Sequence, residues 1–208
     1  MADDVLKKGI DRFYKVCLFG NYKDDYGAAA NRAYRDLCRT INFKDKDDKK
    51  HCEYRSGIVG LIVEKIQEYL LKCQEPNQGI YDAFHRELCG LITSYENEIA
   101  ELTYGQAQKW VNMTMKYLCV LSDANFTGDY KWLGDFYPYL HVPIDSKILD
   151  KIADENEFPG IKLDNVRCWS KIKEYQDYFA VQQSLRNKLK EKDSPILPMD
   201  WEFAVWGQ

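Results

Sequence analysis

Two stretches of this sequence put reactive residue types at helix starts. LTYGQAQKWVNMTMKYL, residues 102–118, opens with a glycine-containing turn followed by Lys109. HVPIDSKIL, residues 141–149, sets Asp145 and Ser146 just ahead of an apolar-periodic stretch, a helix-start signature. Backbone N–H groups at a helix start lack partners within the helix, so they can hold a phosphate or keep a carboxylate ionised. A lysine amine and an aspartate carboxylate meeting at such a junction can attack or stabilise an electron-poor sugar carbon, the chemistry of glycosidic-bond cleavage. Each residue also has a structural reading. Asp is among the preferred N-caps, so Asp145 can cap its helix, and Lys109 can be a solvated lysine of a first turn.

Other chemistries find less support. There is no GxxxxGK[ST], GxGxxG, HExxH or GxSxG pattern. His51, His85 and His141 are far apart in the chain; His85 and Cys89 share a helix face at i,i+4, half of a zinc site, but ordinary helix packing is the stronger reading and no metal is expected. The acid pairs Asp24-Asp25 and Asp47-Asp48 read as solvated turns. His141, beside a proline, is either a surface residue or a partner of Asp145.

Composition bounds the rest. The chain has 208 residues with 29 Lys and Arg against 33 Asp and Glu, a formal charge of -4. Its 45% hydrophobic and 14% aromatic content marks a folded protein. Net acidity argues against indiscriminate charge-driven binding to nucleic acid or anionic membrane, so any polyanion site has to be local. No apolar run is long enough to span a bilayer, and the acid-containing N-terminus does not look like a signal peptide. The seven cysteines are odd in number, spread out and without a CxxC pair, which reads as buried thiols in a reducing, cytoplasmic setting.

The elements that must position Lys109 and Asp145 are helices throughout. Apolar spacing places one at Val5–Cys17, one at Ala28–Ile41, one through Ile58–Leu70, one over Ile80–Leu102, one at Gly105–Leu121, a short one at Lys147–Ala153 and a last one over Val166–Lys190. FKDKDDKKH, residues 43–51, reads as a charged surface connection, and an aromatic patch follows the loop Ser122–Tyr130. The tail PILPMDWEFAVWGQ reads as an extended segment packed on the body, because it is too proline-rich for a helix and too apolar to float free. The expected fold is all-α: a single compact multi-helix domain over 1–208, or two helical lobes with a cleft between them. Within it, 1–100 forms mainly the first lobe, 101–155 the region of Lys109 and Asp145, and 156–208 the C-terminal helix and tail.

On these residues the chain resembles the helix-hairpin-helix DNA glycosylase superfamily, the group containing the endonuclease III and 8-oxoguanine glycosylase enzymes. Members show a hairpin LPGVGxKTA and a downstream VDTHV motif. Leu102, Gly105, Lys109 and Asn112 stand where the hairpin pattern has Leu, the first Gly, the lysine and a polar residue of the next helix. Val142, Pro143, Ile144, Asp145, Ser146 and Ile148 resemble the aspartate motif. The match covers about a quarter of the chain. Ala107 stands in place of the second hairpin glycine, the 36-residue interval from Lys109 to Asp145 is longer than usual, and the four-cysteine cluster loop of some members is missing, so no iron–sulfur cluster or other cofactor is expected.

The resemblance implies an enzyme that extrudes one nucleotide from DNA and excises a damaged or modified base, in repair or in defence against foreign modified DNA. Asp145 would stabilise the sugar cation and Lys109 would form a Schiff base. Binding would draw on Gly105, Gln106, Gln108, Trp110, Asn112, Trp132, Tyr137, His141, Ser146, Lys147 and Trp201, with Phe203 and Trp206 as further lining and Lys116, Lys131 and Lys151 as phosphate contacts. The other reading is a helical module that has lost catalysis and binds DNA or a protein through the same groove.

Overall fold

Side-chain caps set where most of the helices begin. Asp24 and Asp47 accept from the backbone N–H groups of Gly27 and of Lys49 and Lys50, Asn77 from Ile80, Thr103 from Gln106 and Asp145 from Ile148. Both acid pairs are therefore helix starts. The computed structural model describes residues 2–20 and 23–206. Its helices are α1 (Ala2–Phe19), α2 (Asp25–Leu37), α3 (Asp48–Lys65), α4 (Gln78–Thr93), α5 (Tyr104–Leu121), α6 (Lys131–Phe136), α7 (Ser146–Ile152), α8 (Tyr175–Glu191) and α9 (Pro198–Trp206). The fold is all-α, 68% helical, and the described residues form one domain with a single isolated bridge between Phe43 and Ala100.

The central element is α5, whose residues are all buried except Tyr104 and Val120. A helix covered on every side needs close neighbours, and α2 supplies one with Ala28, Ala29, Ala30 and Ala33, small enough for its backbone to approach. The Trp110 indole N–H donates to the Ala30 carbonyl at 2.9 Å across that contact. α4 and α8 pack on other sides of α5, and their inward residues join the same core.

Several expected boundaries are corrected. The charged run at 43–51 is divided, because Asp47 caps α3 and its last residues form that helix's first turn. The helix from residue 80 ends at Thr93, where the Thr93 and Ser94 hydroxyls both donate to the Gly90 carbonyl at 3.0 Å. α8 starts at Tyr175 rather than Val166, because the preceding chain is held by the start of α5: Gly105 N donates to Ile172 O at 3.1 Å and the Thr103 hydroxyl to Ser170 O at 2.9 Å.

The tail is helical, not extended. Pro198 occupies a first-turn position, where a missing N–H costs nothing, and α9 buries Met199, Trp201, Glu202 and Val205 against the body. Only Cys89 and Cys119 of the seven free thiols are buried, so the reading of buried cysteines holds for those two alone. α1 leaves Val5, Leu6, Ile10, Phe13 and Tyr14 exposed.

Candidate active site

Lys109 lies in the second turn of α5 and Asp145 at the N-cap of α7. Their side chains meet, with Nζ 2.5 Å from Oδ2. The other carboxylate oxygen, Oδ1, accepts from Ile148 N at 3.0 Å. Asp145 therefore caps its helix and pairs with the lysine at once, one oxygen for each task. Lys109 has 5% of its side chain exposed and Asp145 19%, so the carboxylate is the edge of the pair that solvent reaches.

Asp145 sits at the end of an extended segment that has no neighbouring strand, and two glutamine amides take a strand's place. Gln108 on α5 donates to Ile144 O at 2.8 Å and accepts from Ile144 N at 3.1 Å. Gln182 on α8 does the same to Val142, at 2.6 and 3.1 Å. Asn112 adds a bond to Val142 O at 3.3 Å and donates to the Tyr178 hydroxyl at 2.8 Å. All three amides are buried, so losing one strands peptide groups at a cost of about 1–3 kcal/mol. Gln108 and Asn112 thus hold the loop that carries Asp145. Gln182 does so equally and escaped sequence reasoning, since a lone glutamine in a polar helix stretch looks like a solvated side chain.

His141 is neither at the surface nor in contact with Asp145. It starts the clamped segment, with Nδ1 2.9 Å from the Tyr178 hydroxyl and Nε2 2.7 Å from Asp82 Oδ1. Burial pushes its pKa down despite the Asp82 hydrogen bond and charge. Burial alone would raise Asp82, but the hydrogen bonds from His141, Arg186 and Gln78 hold it at about 2. His85 packs beside His141, is kept well below its usual value by burial, and bonds the Tyr175 hydroxyl at 2.9 Å.

The remaining expected site residues fall into three groups. Gly105, Gln106, Trp110 and Trp201 are buried. A Cβ on Gly105 would meet the Trp169 carbonyl oxygen at 1.7 Å, and the Gly105 N–H is already given to Ile172, so this glycine serves chain packing rather than a phosphate. Gln106 closes a capping box with Thr103 and donates to Thr40 O at 2.6 Å. Trp132 and Tyr137 are partly buried and bonded elsewhere, to Tyr26 at 3.2 Å and Asp200 at 2.6 Å. Ser146 and Lys147 lie next to Asp145, Ser146 exposed and Lys147 with its Nζ 2.5 Å from Trp206 O and 5.2 Å from the Trp206 ring centroid.

Beside this junction α9 lays a second ion pair and two exposed rings over α5. Lys116 Nζ lies 2.8 and 2.6 Å from the Glu202 oxygens, and 4.8 and 4.9 Å from the Phe203 and Trp206 ring centroids. Burial pushes Glu202 up and Lys116 down, while their pairing opposes both shifts. Phe203 and Trp206 are exposed, so a ring-and-cation surface borders the Lys109–Asp145 pair. Four cavities of about 230–390 Å³ lie elsewhere, and neither Lys109 nor Asp145 lines any of them.

Among the described residues no group of three His, Cys, Asp or Glu is arranged to hold a metal, and no helix is long and apolar enough to cross a membrane. Comparison with protein-family models, with curated proteins and with solved structures finds no match.

Proposed function

We propose that the protein is a DNA glycosylase-type enzyme that excises a damaged or modified base from an extruded nucleotide. The observation that carries this reading is the Lys109–Asp145 contact, 2.5 Å between side chains 36 positions apart, formed at a helix start. At that distance Asp145 can take a proton from the Lys109 ammonium. The freed amine attacks the anomeric carbon, the glycosidic bond breaks, and the departing base takes the bond's electron pair together with the proton Asp145 now holds. The sugar stays on Lys109 as a Schiff base, which water then releases. Positive charge on the sugar during the break is met by the Asp145 carboxylate. Phe203 and Trp206 offer faces on which an extruded base can stack, with Lys116 beside them. The free thiols are in keeping with work in a reducing compartment.

The test is borohydride trapping on DNA carrying a panel of damaged and modified bases, with base release measured in parallel. Wild-type protein is expected to give a covalent adduct on at least one substrate, lost in Lys109→Gln. Release without trapping would make Asp145 the main group, activating water. One feature favours the catalytically inactive DNA- or protein-binding module instead: the hairpin-like N–H of Gly105 is already bonded within the fold. Binding to DNA with no release from any substrate would select that module.

A further inference from the structure

Away from the Lys109–Asp145 junction, a cleft of about 390 Å³ opens between α4 and α8, lined by Asp82, Ala83, Arg86, Glu87, Tyr175 and Phe179. Its volume lies in the range of small-ligand pockets. Tyr175 and Phe179, one helical turn apart on α8, set their rings 5.8 Å apart at an interplanar angle of only 21°, which makes a nearly flat aromatic wall. A flat wall of this kind takes a flat ligand.

The rim carries opposite charges with different commitments. Asp82 is spent, its oxygens taken by His141, Gln78 and Arg186. The Arg86 guanidinium lies 5.2 Å from the Tyr175 ring centroid and makes no ion pair among the described residues. Glu87 takes one hydrogen bond, from the Tyr69 hydroxyl at 3.2 Å on Oε1. An uncommitted fork of donors and a carboxylate with a spare oxygen therefore stand side by side above the aromatic wall. A simple cation is opposed there by Arg86 and a simple anion by Glu87. What suits both is a planar heterocycle with acceptors on one edge and donors on the next. Guanine has that pattern: O6 and N7 accept from a guanidinium, while N1–H and the N2 amino group donate to a carboxylate. Adenine offers no such donor pair beside its acceptors.

We propose that the α4–α8 cleft is a guanine-base site, stacking the base on Tyr175 and Phe179 and reading its edges with Arg86 and Glu87. The site takes the base either from a free nucleoside or nucleotide or from an unpaired nucleic-acid strand. It does not depend on the excision chemistry, because none of its residues belongs to the Lys109–Asp145 junction.

Calorimetric titration tests it, with guanosine, guanosine 5′-monophosphate, adenosine, and thymine oligonucleotides with and without a single guanine. Guanosine is expected to bind at least about tenfold more tightly than adenosine, and Arg86→Ala and Glu87→Gln each to weaken guanosine about tenfold. Binding of the nucleoside identifies free ligand as the source; a guanine preference confined to the oligonucleotides identifies a strand. Either result supports the site, provided the preference persists in Lys109→Gln, which separates it from the excision centre. Arg86 and Glu87 are exposed, so these variants are expected to keep the wild-type thermal transition. Equal affinity for guanosine and adenosine, an affinity untouched by both substitutions, or no binding of any ligand overturns the proposal.

Discussion

Lys109 and Lys116 lie two turns apart on α5, and each meets a carboxylate from the C-terminal half of the chain. The two pairs have the same chemistry and different surroundings. Asp145 stands at a helix start, where a backbone N–H and the helix dipole help to hold its charge, and it keeps 19% of its side chain exposed. Glu202 lies inside α9, 1% exposed, with no helix start to help it, and burial pushes it up. Its charge depends on Lys116. The first pair can meet a ligand without losing its support. The second is a clamp that fastens α9 to α5 and holds Phe203 and Trp206 in place. A lysine–carboxylate pair thus takes its use from what else holds the carboxylate.

The largest effects separate the two pairs by function. Lys109→Gln is expected to abolish borohydride trapping, and Asp145→Asn to slow base release by about 10²–10⁴-fold, the range for a lost proton-transfer group. Lys116→Gln is expected to leave trapping detectable. Trapping that depends on Lys116 and survives Lys109→Gln would invert the comparison. Stability should separate them the other way. Lys116→Met leaves Glu202 buried and alone, at a cost of about 3–5 kcal/mol in urea unfolding, and the second change Glu202→Leu should recover most of it. Lys109→Met is expected to cost less, because Asp145 keeps both the Ile148 N–H and contact with solvent. Equal losses from the two methionine variants would break the contrast.

What could be read from residue order follows the same division. Asp145 was legible because an N-cap is a local signature, with Pro143 before it and apolar spacing after it. Lys109 was legible as a residue of the helix start at 102–105, and both were expected to converge. Glu202, Gln182 and Asp82 carried no such mark. Each is a polar residue in a helix, and only the packing of α5 against α8 and α9 turns it inward. Trp110 shows the converse: its type pointed to a ligand, but the alanines of α2 bring a backbone carbonyl to its indole and place it in the core. Pro198 was read as a helix breaker when it is a helix starter, a matter of position that composition does not reveal.

Acid sharpens the comparison from the other side of α5. His85 and His141 are neutral in the fold, with pKa values driven down by burial, whereas in the unfolded chain they take up protons near pH 6.5. A histidine lowered in the folded state favours folding above its unfolded pKa, and that advantage is lost as pH falls. Each should therefore steepen the loss of stability below about pH 6.5 by at most about 1.4 kcal/mol per pH unit. Asp82, held at about 2, adds in the same direction only below about pH 4, where the unfolded aspartate protonates. Urea unfolding at pH 7, 6 and 5 measures the first part. His85→Gln should flatten it, and an unchanged slope would show that the buried wall behind the Asp145 loop protonates without unfolding.

The smallest expected effect divides the two tasks of Asp145 itself. Asn is as good an N-cap as Asp, because its side-chain oxygen accepts the same Ile148 N–H, but it brings no charge to Lys109. Ala removes the cap as well. If the cap supplies the stability and the charge supplies the chemistry, Asp145→Ala should cost about 1 kcal/mol more in unfolding free energy than Asp145→Asn, while both lose base release to a similar degree. Should Asn destabilise as much as Ala, the bond to Lys109 must be what keeps α7 in place. The Lys109–Asp145 pair would then be a clamp like Lys116–Glu202, and the difference between the two junctions would be one of exposure alone.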